Sequence, residues 1–349
     1  MTSLIPGTPG CPDFRLNRPS ALIAALPAML GFVPEDSLVV VTLADGLVES
    51  IMRRDLFDLH GPEDQAFAVL AEVVSSGPAD GVIAVVISAD LDELDAGDII
   101  RRLSKHMEHH RISLIAGHTV DRISPDGWWR CYDGCGAGGP VDDPSCSPLT
   151  AAAVLAGRTV HRRREDLVAM IAPIDPRRTA VLAASLRRPL PEQGADAVQD
   201  RRAVNRVMRA ACRTAEGRPM SNRELLAIAR SLGVLRVRDT VCALAVGVLA
   251  VDVERLWLEL SRLLPVPWRA EALVLLGFSA YVRGDGPLAG VVLDAALAAQ
   301  PDHRLGQLLM SALYAAMRPD EIRALADTGF RLAQELRISL PPREKQENQ

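Results

Sequence analysis

In the first part of the chain, unbroken apolar runs alternate with stretches whose apolar residues recur every three or four positions; further on, only the second pattern remains. Residues 38–43 form a valine-rich apolar run, the mark of a strand buried on both faces. Asp45-Gly46 follows at once. A two-residue Asp-Gly link predicts a type I′ turn, because both central residues must take positive φ, so residues 47–53 should pair back antiparallel. Ahead of this hairpin, Pro19 and Ser20 open a short helix over 21–30 that Gly31 ends. Behind it, Ala66, Phe67, Val69, Leu70, Val73 and Val74 recur at helical spacing within 62–75, and Gly77-Pro78 breaks the pattern. A second buried strand is expected over 81–88, a helix over 95–110 and a third long strand over 112–123. Pro125-Asp126-Gly127 should turn the chain into a return strand at 128–132. The order strand, helix, strand, helix, strand predicts an α/β layer: a mixed sheet of about five strands with helices packed on it. The Gly- and Pro-rich residues 134–148 read as a loop.

Two helices are expected at 150–156 and 164–171, before Pro173, Pro176, Pro189 and Pro191 punctuate a stretch of weak periodicity. A domain boundary is placed there, near 192. Beyond it the pattern gives helices at 195–216, 222–232, 237–251, 253–264, 268–283, 287–300, 303–317 and 321–338, with Ser221 and Glu224 spaced as a capping box. The expected organisation is therefore an N-terminal arm at 1–18, an α/β domain at 19–191, an all-α domain at 192–340 and a charged, disordered tail at 341–349. Within the all-α part, Leu273, Leu276-Gly277, Ala289, Leu293, Ala296 and Pro301 match a tetratricopeptide-type helix pair, with Gly277 and Ala289 small where two antiparallel helices cross. Such a pair cannot bury its apolar faces alone and usually builds docking surfaces. One clean unit with a degenerate neighbour leaves a plain helical bundle as an equal reading.

Composition narrows the class without naming a function. The 349 residues suffice for two domains, and 48% hydrophobic with 24% charged residues is ordinary for a globular protein. A net charge of −5 gives no general pull toward nucleic acid or anionic membrane. Of 39 basic residues only Lys105 and Lys345 are lysine, which reads as codon bias. No secretory signal is visible at the start, and the longest apolar stretch, 241–251, is too short to span a bilayer, so a cytoplasmic location with reduced thiols is expected.

Candidate chemistry is sparse. Cys131, Cys135 and Cys146 with His118 have the residue types of a Cys3His zinc site, but three residues separate the first pair and no second close pair exists, so no metal is expected. Residues 136–139 follow a strand and have the glycines to present backbone N–H groups, yet they lack the lysine and hydroxyl of a P-loop, and no cofactor is expected. His106 and His110 share a helix face without an accompanying carboxylate motif. Trp128 and Trp129 must point to opposite faces of their strand, one as core and the other beside the glycine loop, where a half-buried tryptophan is preferred over a ligand shelf. The arginine triplet at 162–164 and the pairs at 177–178, 187–188 and 201–202 are interspersed with acids and read as a solvated face.

The run Leu30-Gly31-Phe32-Val33-Pro34-Glu35-Asp36-Ser37-Leu38-Val39-Val40-Val41 resembles the opening signature of the actinobacterial domain-of-unknown-function family 4192. Arg54-Asp55-Leu56, the Trp128-Trp129 strand with its following Cys and Gly loop, and the segments 284–286 and 301–305 are also similar to it, so the resemblance spans about 17–320. It implies a cytoplasmic protein of unassigned activity and brings no catalytic residues. This chain departs from it after Tyr132, where adjacent cysteines are common and Cys135 stands alone. The first expectation is a non-enzymatic interaction or regulatory protein that docks a protein partner through its helical half. The alternative is a small-molecule or nucleotide-binding enzyme with a site at the sheet edge formed by Asp36, Ser37, Trp129, Gly136 and Gly138.

Overall fold

The computed structural model describes residues 18–59, 64–155, 158–188, 196–315 and 317–343. The chain packs as two compact units that divide between Asp166 and Leu167.

The first unit holds a six-stranded mixed sheet in the order β2-β1-β3-β4-β5-β6. Its strands are β1 (Ser37–Ala44), β2 (Leu47–Asp55), β3 (Gly81–Ile87), β4 (Ser113–Val120), β5 (Trp128–Cys131) and β6 (Gly138–Pro140). Asp45 (φ 52°) and Gly46 (φ 77°) both take the left-handed conformation that the hairpin link requires. All neighbours pair antiparallel except β3 and β4. The expected count of about five strands falls short by β6, whose glycines read as loop. Gly138 and Gly139 pair with Arg130 and Trp129, and a Cβ on Gly138 would sit 2.8 Å from the Trp129 carbonyl oxygen. Glycine here permits close backbone approach along an edge strand.

Helices α1 (Pro19–Leu30), α2 (Gln65–Ser75), α3 (Glu93–His109) and α4 (Pro148–Leu155) belong to this unit. Crossovers β2-α2-β3 and β3-α3-β4 step across the sheet in one direction, so their helices share one face. There Phe67, Leu70, Ile100, Leu103 and Met107 pack on Leu38, Val40, Val82, Ala84 and Val86 in one core. Alternate residues of the same strands, Val39, Val41, Val85 and Ile87, are also buried, so the central strands are covered on both sides. Helix α1 is buried at every position from Leu22 to Ala28, and α4 packs against it.

In the second unit no strand occurs among the described residues. After α5 (Arg164–Met170), which spans the division, come α6 (Pro176–Leu186), α7 (Ala197–Ala215), α8 (Asn222–Leu232), α9 (Leu235–Cys242), α10 (Ala250–Leu263), α11 (Arg269–Val282), α12 (Gly286–Ala299), α13 (Arg304–Tyr314), α14 (Pro319–Arg323) and α15 (Leu325–Glu335). The boundary expected near 192 lies inside this unit. Pro176, read as punctuation, instead occupies the first turn of α6 behind an Asp175 cap, where proline costs nothing. Arg178 of that helix donates to Asn222 Oδ1 at 2.7 Å, and Thr179 Oγ1 donates to the Leu263 carbonyl at 3.0 Å, tying α6 to α8 and α10. The single helix expected over 237–251 is interrupted by a 3-10 turn (Ala243–Val246) and by Gly247, which is extended and bridges to Arg343. Residues 341–343 are thus part of the unit: Val248 N donates to the Pro342 carbonyl at 3.4 Å, and the Arg343 guanidinium lies 4.5 Å from the Phe330 ring centroid. The expected arm at 1–17 and tail at 344–349 lie outside the described residues.

Helices α11 and α12 form the antiparallel pair that the small residues foretold. A Cβ on Gly277 would come within 2.8 Å of Leu293 Cγ. Every residue from Ala272 to Val282 is buried, and α11 is packed by α8, α9, α10, α12, α13 and α14. It is a central helix enclosed on all sides. Among the described residues no helix is long and apolar enough to cross a membrane.

Candidate functional site

The parallel strands β3 and β4 end at Ile87 and Val120, and the loop that leads into β1 arrives at the same end of the sheet, since Ser37 pairs with Ile87. Ligands in α/β sheets commonly sit outside the carboxyl ends of strands. The loop is pinned from outside: Gly31, left-handed at φ 73°, closes α1, its carbonyl accepts from His161 N at 2.7 Å, and Val33 N donates to the His161 carbonyl at 3.1 Å. Asp36 follows in a left-handed conformation at φ 40° and is exposed. Its carbonyl accepts from Leu56 N at 2.9 Å, and its carboxylate accepts from Ser88 Oγ at 2.7 Å. Ser88 N in turn donates to the Val120 carbonyl at 3.0 Å, so the Asp36 carboxylate, the Ser88 hydroxyl and the tips of β3 and β4 are hydrogen-bonded into one cluster.

Ser37 serves the frame instead of the surface. It is fully buried, its hydroxyl donates to the Glu35 carbonyl and accepts from Arg53 Nε at 2.8 Å. Arg53 also grips Asp55 (Nη1 to Oδ2, 2.9 Å) and lies over the Phe32 ring at 5.8 Å. Trp129 is half-buried and stands in the same transverse row as Ser37, through Ile87 and Val120. Three strand spacings separate them, about 14 Å. Gly138 lies one strand further on, in β6, and Gly136 lies beyond it in the β5–β6 loop, exposed and left-handed at φ 81°. The five residues expected at one site therefore divide between two places: Asp36 and Ser37 at β1, and Trp129, Gly136 and Gly138 at the far edge.

The far edge has its own chemistry. Cys131 pairs directly with His118 across β4 and β5, so both side chains leave the same face. The loop after β5 then brings Cys131 Sγ, an Asp133 carboxylate oxygen and Cys135 Sγ within 4.8 Å of one another. Gly134 (φ 73°) and Gly136 (φ 81°) flank Cys135 in left-handed conformations, which folds the chain back on itself between the two thiols. Cys135 N donates to Asp133 Oδ1 at 2.9 Å. This amide and then the Cys131 and Cys135 thiols hold the Asp133 carboxyl below its usual range. Burial, followed by the hydrogen bond to Asp133, pushes the Cys131 thiol up to about 11. Burial lowers the His118 pKa and the Asp133 charge pulls it back in part; a neutral imidazole results. Its ring meets Trp129 edge-on at 5.3 Å, and its Nδ1 is buried with no hydrogen-bond partner among the described residues. The two glycine turns bring Cys131 and Cys135 together despite their spacing, and Asp133, which the sequence reading passed over, joins them. Cys146 stands apart, with its Sγ 3.8 Å from Asp143 Oδ2.

The histidines of α3 form no metal pair: His106 stacks on Phe67 at 6.2 Å with Nε2 3.5 Å from Asp64, and His109 Nδ1 lies 2.6 Å from the Lys105 carbonyl. Arg102 joins Asp64 through Nε at 2.7 Å, so this cluster locks α3 to the start of α2.

Residues 19–320 match the family model described as Domain of unknown function (DUF4192). The chain belongs to that family. No curated protein and no solved structure matches it. For this family member, function must be read from its own side chains.

Proposed function

We propose that this protein is a binding protein whose ligand seat lies at the carboxyl ends of β3 and β4, with Asp36 as the anchoring group. The observation that carries the reading is Asp36 itself: an exposed carboxylate, held left-handed at φ 40° and oriented by Ser88. A non-glycine residue in that conformation costs free energy, and such outliers collect where side chains must be aimed. With Glu35, Asp36 and Asp90 exposed around it, the seat suits a ligand that offers hydrogen-bond donors, hydroxyls or amines, over one that presents phosphate. A thermal-shift panel of nucleosides, sugars and amines on the intact chain tests it. A stabiliser whose effect is lost in Asp36→Asn is the expected result, and a stabiliser indifferent to that change refutes the anchor.

A second reading, a protein partner docked through tetratricopeptide-like helices, is favoured by the Gly277–Leu293 crossing of α11 and α12. Because α11 is enclosed, a partner would have to use the outer faces, where Leu308 is 67% exposed. Co-purification with the intact chain that is abolished by Leu308→Asp would favour docking.

A further inference from the structure

We propose that Cys131, Asp133 and Cys135 form a binding site for one thiophilic divalent cation of the zinc type, with His118 placed to complete or support the ligand set. The argument starts from the convergence of three ligand atoms within 4.8 Å of one another at one end of a hairpin. Zinc takes thiolate sulfur at about 2.3 Å and carboxylate oxygen at about 2.0–2.2 Å in a tetrahedron, so ligand atoms already this close need only small rotations to close around it. Rigid strand pairing fixes Cys131, since its N–H donates to the Ala137 carbonyl at 2.9 Å across the hairpin neck. Apart from their chain neighbours, no heavy atom of the described residues lies within 4 Å of where a Cβ on Gly134 or Gly136 would stand, so the turns on either side of Cys135 are open.

The independent observation is His118. It is 6% exposed, on a different strand, opposite Cys131, and its Nδ1 has no hydrogen-bond partner among the described residues. A buried polar nitrogen left without a partner is destabilising, and a structure retains one where something else satisfies it. An imidazole paired in register with Cys131 adds to two thiols and a carboxylate the fourth donor type of a Cys2His-carboxylate centre. In the cation-free protein the two S–H groups lie beside the Asp133 carboxylate. A cation entering the group displaces those two protons to solvent, giving two thiolates and one carboxylate around the 2+ charge. The site lies at the far edge of the sheet from Asp36 and does not depend on the seat proposed there.

The test is titration of the reduced, intact chain with cobalt(II) as the spectroscopic stand-in and then with zinc as competitor. The expected result is thiolate-to-cobalt charge-transfer absorption at one equivalent, bleached by zinc, with release of about two protons per cation near neutral pH. Cys131→Ser combined with Cys135→Ser should abolish the band, His118→Gln should weaken binding about tenfold or more, and Cys146→Ser should leave it unchanged. Melting of the cation-free variants checks folding: Cys135 is exposed, so Cys135→Ser alone should melt as wild type and still lose the tight site. Absence of the band in the reduced wild type, or a band that survives the double variant, overturns the proposal. So does formation of a Cys131–Cys135 disulfide in air by a chain that, once reduced again, takes up no cation.

Discussion

The two units place their polar groups differently. In the helical unit, the side chains at helix ends hold the helices: Ser221 caps α8 in a capping box with Glu224, Asp285 caps α12 by accepting from Leu288 N at 3.1 Å, and Arg283 joins Glu254 at 2.8 Å. Even the buried His303 caps α13, its Nδ1 accepting from Gly306 N at 3.1 Å. In the sheet unit Ser37 and His118 are buried toward the strand ends, and Asp36 is exposed beside them at the start of β1. Groups already occupied in caps and helix contacts have structure as their task. An exposed carboxylate held at a strand end is available for a ligand, and this difference is why the proposed seat is placed in the sheet unit.

The comparison breaks or sharpens under substitution. The largest effect is expected at Trp257, the bulkiest wholly buried side chain of the helical unit. Trp257→Ala should cost about 4 kcal/mol through lost burial and a cavity, read by denaturant unfolding monitored through helical circular dichroism. Gly329→Ala should follow at about 2–3 kcal/mol. Its Cβ would stand 2.6 Å from the Asp239 carbonyl oxygen, a backbone atom that cannot rotate away, so α15 must lift from α9. Ser221→Ala, which removes the α8 cap, should cost about 1 kcal/mol. If any of these left stability unchanged, the structural role assigned to the helical unit would fail.

A pH effect of smaller size belongs to the same cap. The Ser221 amide and hydroxyl, and then Arg213, hold the Glu224 carboxyl below its ordinary value of 4.5. A depressed carboxylate stabilises fully above that value and loses its contribution as pH falls through the lower folded value. Glu224→Gln should therefore lower stability at neutral pH and reduce the acid-side loss below about pH 4.5, seen as converging unfolding midpoints of the two proteins toward low pH. Smallest of all is the expected cost of Asp36→Asn in the sheet unit, within about 0.5 kcal/mol, because asparagine tolerates the left-handed conformation and the carboxylate is exposed. That neutrality, together with lost ligand response, is what separates a binding group from a structural one.

The sequence made some of this legible and concealed the rest for physical reasons. Valine-rich runs marked β1 and β3, and Asp45-Gly46 marked the hairpin, because those signals are local. β6 was hidden because glycine in an edge strand reads as loop, and α6 because Pro176 opens a helix as readily as it ends one. Gly277 announced the α11–α12 crossing, yet the enclosure of α11 depends on helices distant in sequence. At the far edge the ligand types Cys131, Cys135 and His118 were visible, but their spacing concealed that Gly134 and Gly136 fold the loop around Asp133. Asp36 and Ser37 were both singled out, and only the fold separates the exposed anchor from the buried strut.

The most direct test of function in the sheet unit is amide hydrogen exchange on the intact chain, with and without the best stabiliser from the ligand panel. Protection concentrated in residues 33–37 and 87–90, and absent from Asp36→Asn, is the result this account predicts. Protection confined to 269–314, with the strand ends unchanged, would contradict it and move binding to the helices.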